Sequence, residues 1–110
     1  MSSEGKFGLK KETIKSILNA LIKYKGIEKV ILYGSRAKGN FKTGSDIDLT
    51  LIAPTLVTGD LLKIENDLDE LMLPYKIDLS LFHHIDNSSL IEHINRVGIE
   101  FCPYQTADAD

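Results

Sequence analysis

Two segments in which apolar and polar residues alternate, 46–51 and 76–82, constrain the fold of this chain more than any other feature. Such alternation is typical of a β-strand with one buried face. A connection of about twenty residues with a helical stripe of leucines joins the segments and ends at Leu73-Pro74. A helix between two strands favours a right-handed parallel crossover. The sequence therefore predicts a β-α-β unit whose strands begin at the same edge of a sheet.

Further apolar patterns precede this unit. A helical stripe begins after Lys11 and is expected to end at Gly26, where a glycine favours termination. The apolar run Val30–Tyr33 is rich in β-forming residues and predicts a buried strand. Residues 35–45 then form a polar, glycine-containing connector, in which a single helical turn would begin at Ser35.

A last helix and a short strand are predicted after the β-α-β unit. Ser89 and Glu92 have the spacing of a capping box, and the apolar stripe that follows ends at Gly98. Residues 99–101 would add an edge strand. The predicted fold class is therefore α/β (α+β), a small mixed β-sheet of three to four strands with about four helices.

Composition limits the chain to one small domain. It has 110 residues, 43% of them hydrophobic, so we expect a single domain over residues 1–110, with its core in residues 10–101 and a disordered tail at 103–110. The net charge of −3 argues against broad nucleic-acid binding. A lone cysteine, Cys102, cannot form an intrachain disulfide and fits a cytoplasmic protein. No signal peptide or membrane span is expected, since no apolar run approaches about 18 residues.

Three acidic side chains are expected to meet at one edge of the sheet. Asp46 and Asp48 lie on the same face of their strand, opposite the apolar residues. Asp78 has the same facing near the start of the next strand. Antiparallel pairing of the first two strands would bring the Gly34-Ser35 turn to the same edge.

Clustered carboxylates repel one another unless a cation neutralises them, and Mg²⁺ binds through carboxylates, water and substrate phosphates. Gly34 has no side chain to block a phosphate, and the N–H groups near Ser35 and Arg36 at a helix start can hold its oxygens. The Arg36 guanidinium would add charge-assisted hydrogen bonds to the same oxygens. These parts predict a phosphate-transfer site with two metal ions.

The motif Gly34-Ser35-Arg36-Ala37-Lys38-Gly39, followed by Ser45-Asp46-Ile47-Asp48-Leu49, resembles the GSRxxG…SDxDL signature of the polymerase β-like nucleotidyltransferase superfamily. Lys76-Ile77-Asp78-Leu79 is similar to the third acidic strand of that superfamily. The resemblance covers roughly residues 30–81, and at this chain length it is closest to the minimal nucleotidyltransferases, or MNT proteins.

This resemblance implies the polymerase β-like nucleotidyltransferase fold and an Mg²⁺-dependent enzyme that uses ATP or another nucleoside triphosphate. Asp78 would act as a metal ligand or as the base that activates the acceptor. The implied nucleotide-binding residues are Gly34, Ser35, Arg36 and Ser45, and the implied catalytic and metal-binding residues are Asp46, Asp48 and Asp78.

MNT proteins are often encoded beside a helical HEPN-domain partner and act as antitoxins, some by adenylylating a tyrosine of the HEPN toxin. The resemblance therefore implies transfer of AMP to a hydroxyl of such a partner. An alternative is a non-catalytic antitoxin that neutralises its partner by contact alone. Nucleotidylation of a small molecule is a third reading, less favoured because the enzymes that do this carry an extra domain. Whether the protein forms homo- or hetero-oligomers is left open.

Simpler interpretations exist for several of these residues. The alternating acids would also suit the solvated face of an edge strand. Lys38 and Lys42 have open roles in the polar connector, since basic loop residues are commonly just solvated. His83 and His84 are expected to be surface residues, because adjacent side chains diverge along a strand and no third metal ligand is suitably spaced. Tyr33 is expected in the core.

Overall fold

The computed structural model describes residues 7–42 and 44–101 of the chain. In this part it has four α-helices and four β-strands, with one 3₁₀ turn. Their order is α1 (Lys11–Leu21), β1 (Lys29–Tyr33), α2 (Ser35–Lys38), β2 (Ile47–Ile52), α3 (Thr58–Asp69), β3 (Ile77–Leu81), the 3₁₀ turn (Phe82–His84), α4 (Ser88–Val97) and β4 (Ile99–Glu100).

The strands form one mixed sheet in the order β3-β2-β1-β4. The β2 and β3 strands are parallel and α3 connects them, as predicted for the β-α-β unit. The β1 strand is antiparallel to both β2 and β4. The predicted fold class is confirmed, including the short edge strand, since a sheet of this kind with four helices is what the alternation and the connection lengths require.

One face of the sheet carries the hydrophobic core. Leu32, Leu49 and Leu79 lie side by side across β1, β2 and β3, and all three are buried. Ile17 of α1 and Ile64 of α3, each fully buried, belong to the same apolar cluster. Because side chains alternate along a strand, the core pattern on this face leaves the intervening polar residues of β2 and β3 on the other.

The opposite face is partly covered by α4, which packs against β1. Ile94 of this helix is buried but lies outside the main apolar cluster, and His93 contacts the ring of Tyr33. Thr50 is fully buried on this face and accepts a hydrogen bond from Ser80 over 2.9 Å. The polar row of β2 and β3 is thus hydrogen-bonded at Thr50 and Ser80, whereas Asp78 is exposed.

Several local predictions need correction. The predicted capping box at Ser89 is wrong, since the cap of α4 is Asn87, two residues earlier. The Asn87 side-chain oxygen accepts hydrogen bonds from the N–H groups of Ser89 and Leu90. Asparagine and serine are similarly good caps, so the pattern did not separate them. The first helix ends at Leu21 and not at Gly26 as predicted, and a turn at Tyr24 lies between these two residues.

His83 and His84 are exposed, as predicted, but not for the predicted reason. They lie in the 3₁₀ turn and not along a strand, so their rings contact each other edge-on with centroids 4.4 Å apart. The predictions for Cys102 and for the tail at 103–110 lie outside the described residues. In the described part of the chain, the helices are all too short or too polar to span a bilayer.

Candidate active site

The acidic row lies where β2 and β3 begin. Asp48 and Asp78 are direct partners in the parallel register, so their side chains share one face on strands roughly 4.8 Å apart. Asp46 precedes β2 by one residue and is exposed, as is Asp78. Asp48 is partly buried. The backbone positions and the strand register therefore place all three acidic residues at the same edge of the sheet, as expected.

The turn after β1 reaches the same edge. Tyr33, the last residue of β1, is the register partner of Asp48, so Gly34 comes next to this carboxylate. Gly34 has φ 80° and ψ −156°, a conformation that is essentially restricted to glycine. A Cβ at this position would overlap the Oδ2 atom of Asp48 and lie 3.2 Å from its Cγ. Glycine is therefore required here both by the backbone and by the neighbouring carboxylate.

Beyond Gly34 the chain turns directly into α2. The carbonyl groups of Gly34 and Ser35 accept hydrogen bonds from the N–H groups of Lys38 and Gly39. The N–H groups of a helix's first turn have no partner within the helix. They are the donors that the sequence analysis assigns to phosphate oxygens, and they follow Gly34, which lies against the carboxylate of Asp48.

The electrostatics of Asp48 reflect its acidic surroundings. Burial raises the pKa of this carboxyl, and the charges of Asp78 and Asp46 raise it further. His93 on α4 has the opposite effect on the same pKa. Burial also raises the pKa of Tyr33, with Asp78 and Asp48 adding to the effect. An added cation would relieve this accumulation of negative charge.

The chemistry of the three carboxylates fits a hard divalent cation such as Mg²⁺, which prefers oxygen ligands. In residues 7–42 and 44–101, however, no three Asp, Glu, His or Cys side chains stand close enough together to hold a metal ion as they are. Asp46 and Asp78 are exposed, and exposed side chains change rotamer readily. The metal-binding role of Asp46, Asp48 and Asp78 therefore stays a prediction.

The Arg36 side chain does not join the acidic row. Its residue is 3% exposed, and its guanidinium donates to the carbonyl of Ser45 from Nε (3.2 Å) and Nη2 (2.9 Å) and to the carbonyl of Phe7 from Nη1 (2.9 Å). Burial lowers its pKa, although an arginine stays charged at neutral pH. The expected bonds from this guanidinium to phosphate are not available in this arrangement.

Ser45 is likewise engaged within the loop. Its hydroxyl accepts a hydrogen bond from the N–H of Lys42 over 2.8 Å, and its own N–H donates to the Lys42 carbonyl over 2.9 Å. These bonds close a tight turn immediately before Asp46. The predicted nucleotide contacts of Ser45 remain untested, while its structural role in the turn is evident.

Sequence reasoning missed His93. Its ring meets the edge of the Tyr33 ring at a centroid distance of 6.1 Å and an interplanar angle of 81°. His93 lies on the same helical stripe as Leu90, Ile94 and Val97, which is the signal that places it on the inner side of α4. The stripe does not reveal which face of the sheet α4 covers, so the proximity to Asp48 needed the tertiary structure.

Solved structures with a similar fold come from toxin–antitoxin complexes. A chain of a toxin–antitoxin crystal structure with AMP-PNP aligns over 87% of this chain and 77% of its own length, at 20% identity and a TM-score of 0.66. A chain of the toxin–antitoxin MntA-HepT covers 91% and 78%, at 18% identity and a TM-score of 0.63. A chain from the complex of tri-AMPylated Shewanella oneidensis HEPN toxin with MNT antitoxin covers 89% and 76%, at 18% identity and a TM-score of 0.62.

At these identities the structural matches establish the fold, and the sequence comparison establishes the family. No relative was found among curated proteins. The sequence profile described as Polymerase beta, Nucleotidyltransferase matches residues 12–105, which includes β1, the glycine-serine turn and all three acidic residues. The resemblance seen in the sequence motifs is thereby confirmed, and the chain belongs to the polymerase β nucleotidyltransferase family.

Proposed function

We propose that this protein transfers AMP from ATP to a hydroxyl group of a HEPN-domain partner protein and thereby acts as its antitoxin. The observation that supports the proposal is the placement of Asp46, Asp48 and Asp78 and of the Gly34-Ser35 turn along one edge of the sheet. The row of carboxylates would bind the magnesium ions, and the N–H groups at the start of α2 would bind the oxygens of the triphosphate.

The proteins of similar structure support the choice of nucleotide and partner. One was crystallised in a toxin–antitoxin complex with AMP-PNP, an ATP analogue. Another complex contains a HEPN toxin that carries three AMP groups. By analogy with these proteins, ATP is the donor and a HEPN-domain protein is the acceptor. We place the reaction in the cytoplasm, which a single cysteine, Cys102, suits.

The proposed step is displacement at the α-phosphorus of ATP. The hydroxyl oxygen of the acceptor forms a bond to this phosphorus, the bond to the pyrophosphate oxygen breaks, and the hydroxyl proton passes to a carboxylate or to water. Asp46 and Asp48 would hold the ions, and Asp78 would be a third ligand or the proton acceptor. Magnesium ions at these residues would neutralise the leaving pyrophosphate and lower the pKa of the attacking hydroxyl.

Intact-mass spectrometry of the partner tests this proposal. A candidate HEPN-domain partner protein is incubated with the purified chain, ATP and Mg²⁺, and each transferred AMP adds one fixed mass increment. We expect the increments with the parent and none with the Asp46→Asn, Asp48→Asn double variant. Asp69→Asn serves as the matched control, because Asp69 is an exposed acid at the end of α3, a helix that packs on the other face of the sheet.

The same variants separate this proposal from neutralisation by contact alone. If the double variant, folded and binding its partner, protects cells as well as the parent does, the catalytic account of the antitoxin is wrong. An unchanged partner mass together with a small molecule that gains AMP would instead favour nucleotidylation of a small acceptor.

A further inference from the structure

We infer that Arg36 is a positioning residue, whose side chain locks the loop between α2 and β2 and so sets Asp46 and Asp48 in place. This inference rests on the proposed function, because it assigns Arg36 a role in forming that same site. It replaces the expectation that the guanidinium binds phosphate.

The hydrogen bonds of Arg36 link three parts of the chain. Two of its nitrogens converge on the carbonyl of Ser45, the residue immediately before Asp46. The third donates to the carbonyl of Phe7, which lies 29 residues earlier. The guanidinium is a planar fork that can hold two acceptors in fixed directions, so it ties the start of β2 to the N-terminal segment.

Aromatic rings enclose this linkage. The Arg36 Cζ atom is 5.0 Å from the centroid of the Phe41 ring and 5.1 Å from that of the Tyr75 ring. Phe41 belongs to the loop itself, and Tyr75 precedes β3. Gly8 completes the enclosure, since a Cβ there would overlap the Phe41 ring and lie 3.1 Å from Nη1. The cage therefore joins the loop before Asp46 to the segment before Asp78.

The positive charge of Arg36 is buried and is compensated without a carboxylate. Within residues 7–42 and 44–101 no carboxylate forms an ion pair with it, so backbone carbonyls and ring faces alone compensate the buried charge. A buried charge is costly, and removing its partners is costlier still. A guanidinium that turned outward to a phosphate would leave the partly buried carbonyls of Ser45 and Phe7 without these donors. Arg36 is therefore expected to keep its hydrogen bonds to Ser45 and Phe7, and these bonds fix the conformation of the loop before Asp46.

The loop needs such an anchor because its own backbone is permissive. Gly39 and Gly44 both have positive φ, at 91° and 87°, and a Cβ at either would meet no atom within 4 Å. Glycines without neighbours do little to restrict a loop. Among the described residues, the start of the loop is held by hydrogen bonds from Gly39 and Asn40 to the Ser35 carbonyl, and its end by the Lys42–Ser45 turn and the Arg36 bonds to Ser45. Loss of Arg36 would therefore loosen the segment that leads into Asp46.

Hydrogen–deuterium exchange in the metal-free, nucleotide-free protein tests the inference directly. Arg36→Met removes the fork, and we expect exchange of peptides covering residues 39–48 to accelerate about tenfold or more relative to the parent. Arg36→Lys should give an intermediate rate, since an ammonium cannot hold both carbonyls in fixed directions. Lys38→Met is the matched control, because Lys38 is an exposed residue of the same short helix. Circular dichroism confirms that each variant is folded.

A milder variant keeps the test decisive if Arg36→Met does not fold. Phe41→Leu leaves the guanidinium and its acceptors in place but removes one ring of the cage, and exchange in the same peptides should rise by a smaller factor. The Mg²⁺ concentration for half-maximal ATP binding should also rise, about tenfold or more for Arg36→Lys, as for residues that orient metal ligands from behind.

Two outcomes would overturn the inference. One is unchanged exchange at residues 39–48 in both Arg36 variants and in Phe41→Leu. The other concerns Arg36→Lys: if this variant loses much more affinity for ATP than for AMP, and the loss is equally large with and without Mg²⁺, the guanidinium binds phosphate after all. A parent protein that transfers no AMP would refute the proposed function but leave the exchange result standing, so the two failures are distinguishable.

Discussion

Replacing Gly34 with alanine should disable the site while leaving most of the fold intact. The backbone at Gly34 lies in a region where a non-glycine residue costs about 1–3 kcal/mol. The added Cβ would also overlap Oδ2 of Asp48, so the carboxylate must retreat by about 1 Å to reach ordinary contact distance. A displacement of about 1 Å in a catalytic group can lower the rate by about 100-fold. We therefore expect a loss of that size in AMP transfer per folded molecule.

Gly39→Ala is the control that separates backbone strain from displacement of Asp48. Gly39 also has a positive φ, 91°, but a Cβ there meets no atom within 4 Å. Both variants should lose comparable stability, about 1–2 kcal/mol for Gly39→Ala, in urea unfolding. Only Gly34→Ala should lose transfer activity and Mg²⁺-dependent ATP binding by calorimetry. Equal activity losses in the two variants, or full activity in Gly34→Ala, would refute the reasoning.

Three further predictions concern charge, capping and the core. Burial and two acids raise the pKa of Asp48, so its ionisation destabilises the fold as pH rises through that raised pKa. In thermal melts without metal, Asp48→Asn should therefore be at least as stable as the parent at pH 7. Any advantage of the variant should vanish as pH falls. Mg²⁺ at about ten times its Kd should stabilise the parent by about 1.4 kcal/mol and this variant less. Asn87→Ala should cost about 1 kcal/mol in urea unfolding and Ser89→Ala under about 0.5, and equal costs would restore the rejected capping box. Ile64→Ala, at a fully buried site, should cost about 2–5 kcal/mol in the same assay, and a smaller loss would contradict the packing of α3 on the core.

The sheet and the acidic row were predictable because their signals are local. Alternation with a period of two puts Asp46 and Asp48 on one face of any strand, whatever its neighbours. The length of the connection to Asp78 then favoured a parallel crossover, which is present, and its register pairs Asp48 with Asp78. Predictions that depend only on strand period and connection length therefore held.

The surroundings of Arg36 were not predictable in this way. A guanidinium beside a glycine-serine turn suits a phosphate as well as it suits two carbonyl groups. Its actual acceptors belong to Phe7 and Ser45, which are 29 and 9 residues away in irregular segments. No periodic pattern encodes such contacts, so the choice between the two acceptors is decided by tertiary packing alone. The same limit applies to His93, whose neighbour Tyr33 lies on a distant strand.

The alternation along β2 means that shape and chemistry are encoded by different residues of one strand. Leu49 and Leu51 belong to the apolar core, whereas Asp48 lies on the opposite face of β2, at the edge of the sheet where the acidic row lies. Loss of the acidic side chains through mutation would therefore leave the apolar core, and with it the fold, intact. A lineage of this domain could abandon catalysis and survive as a pure docking module without passing through an unfolded intermediate.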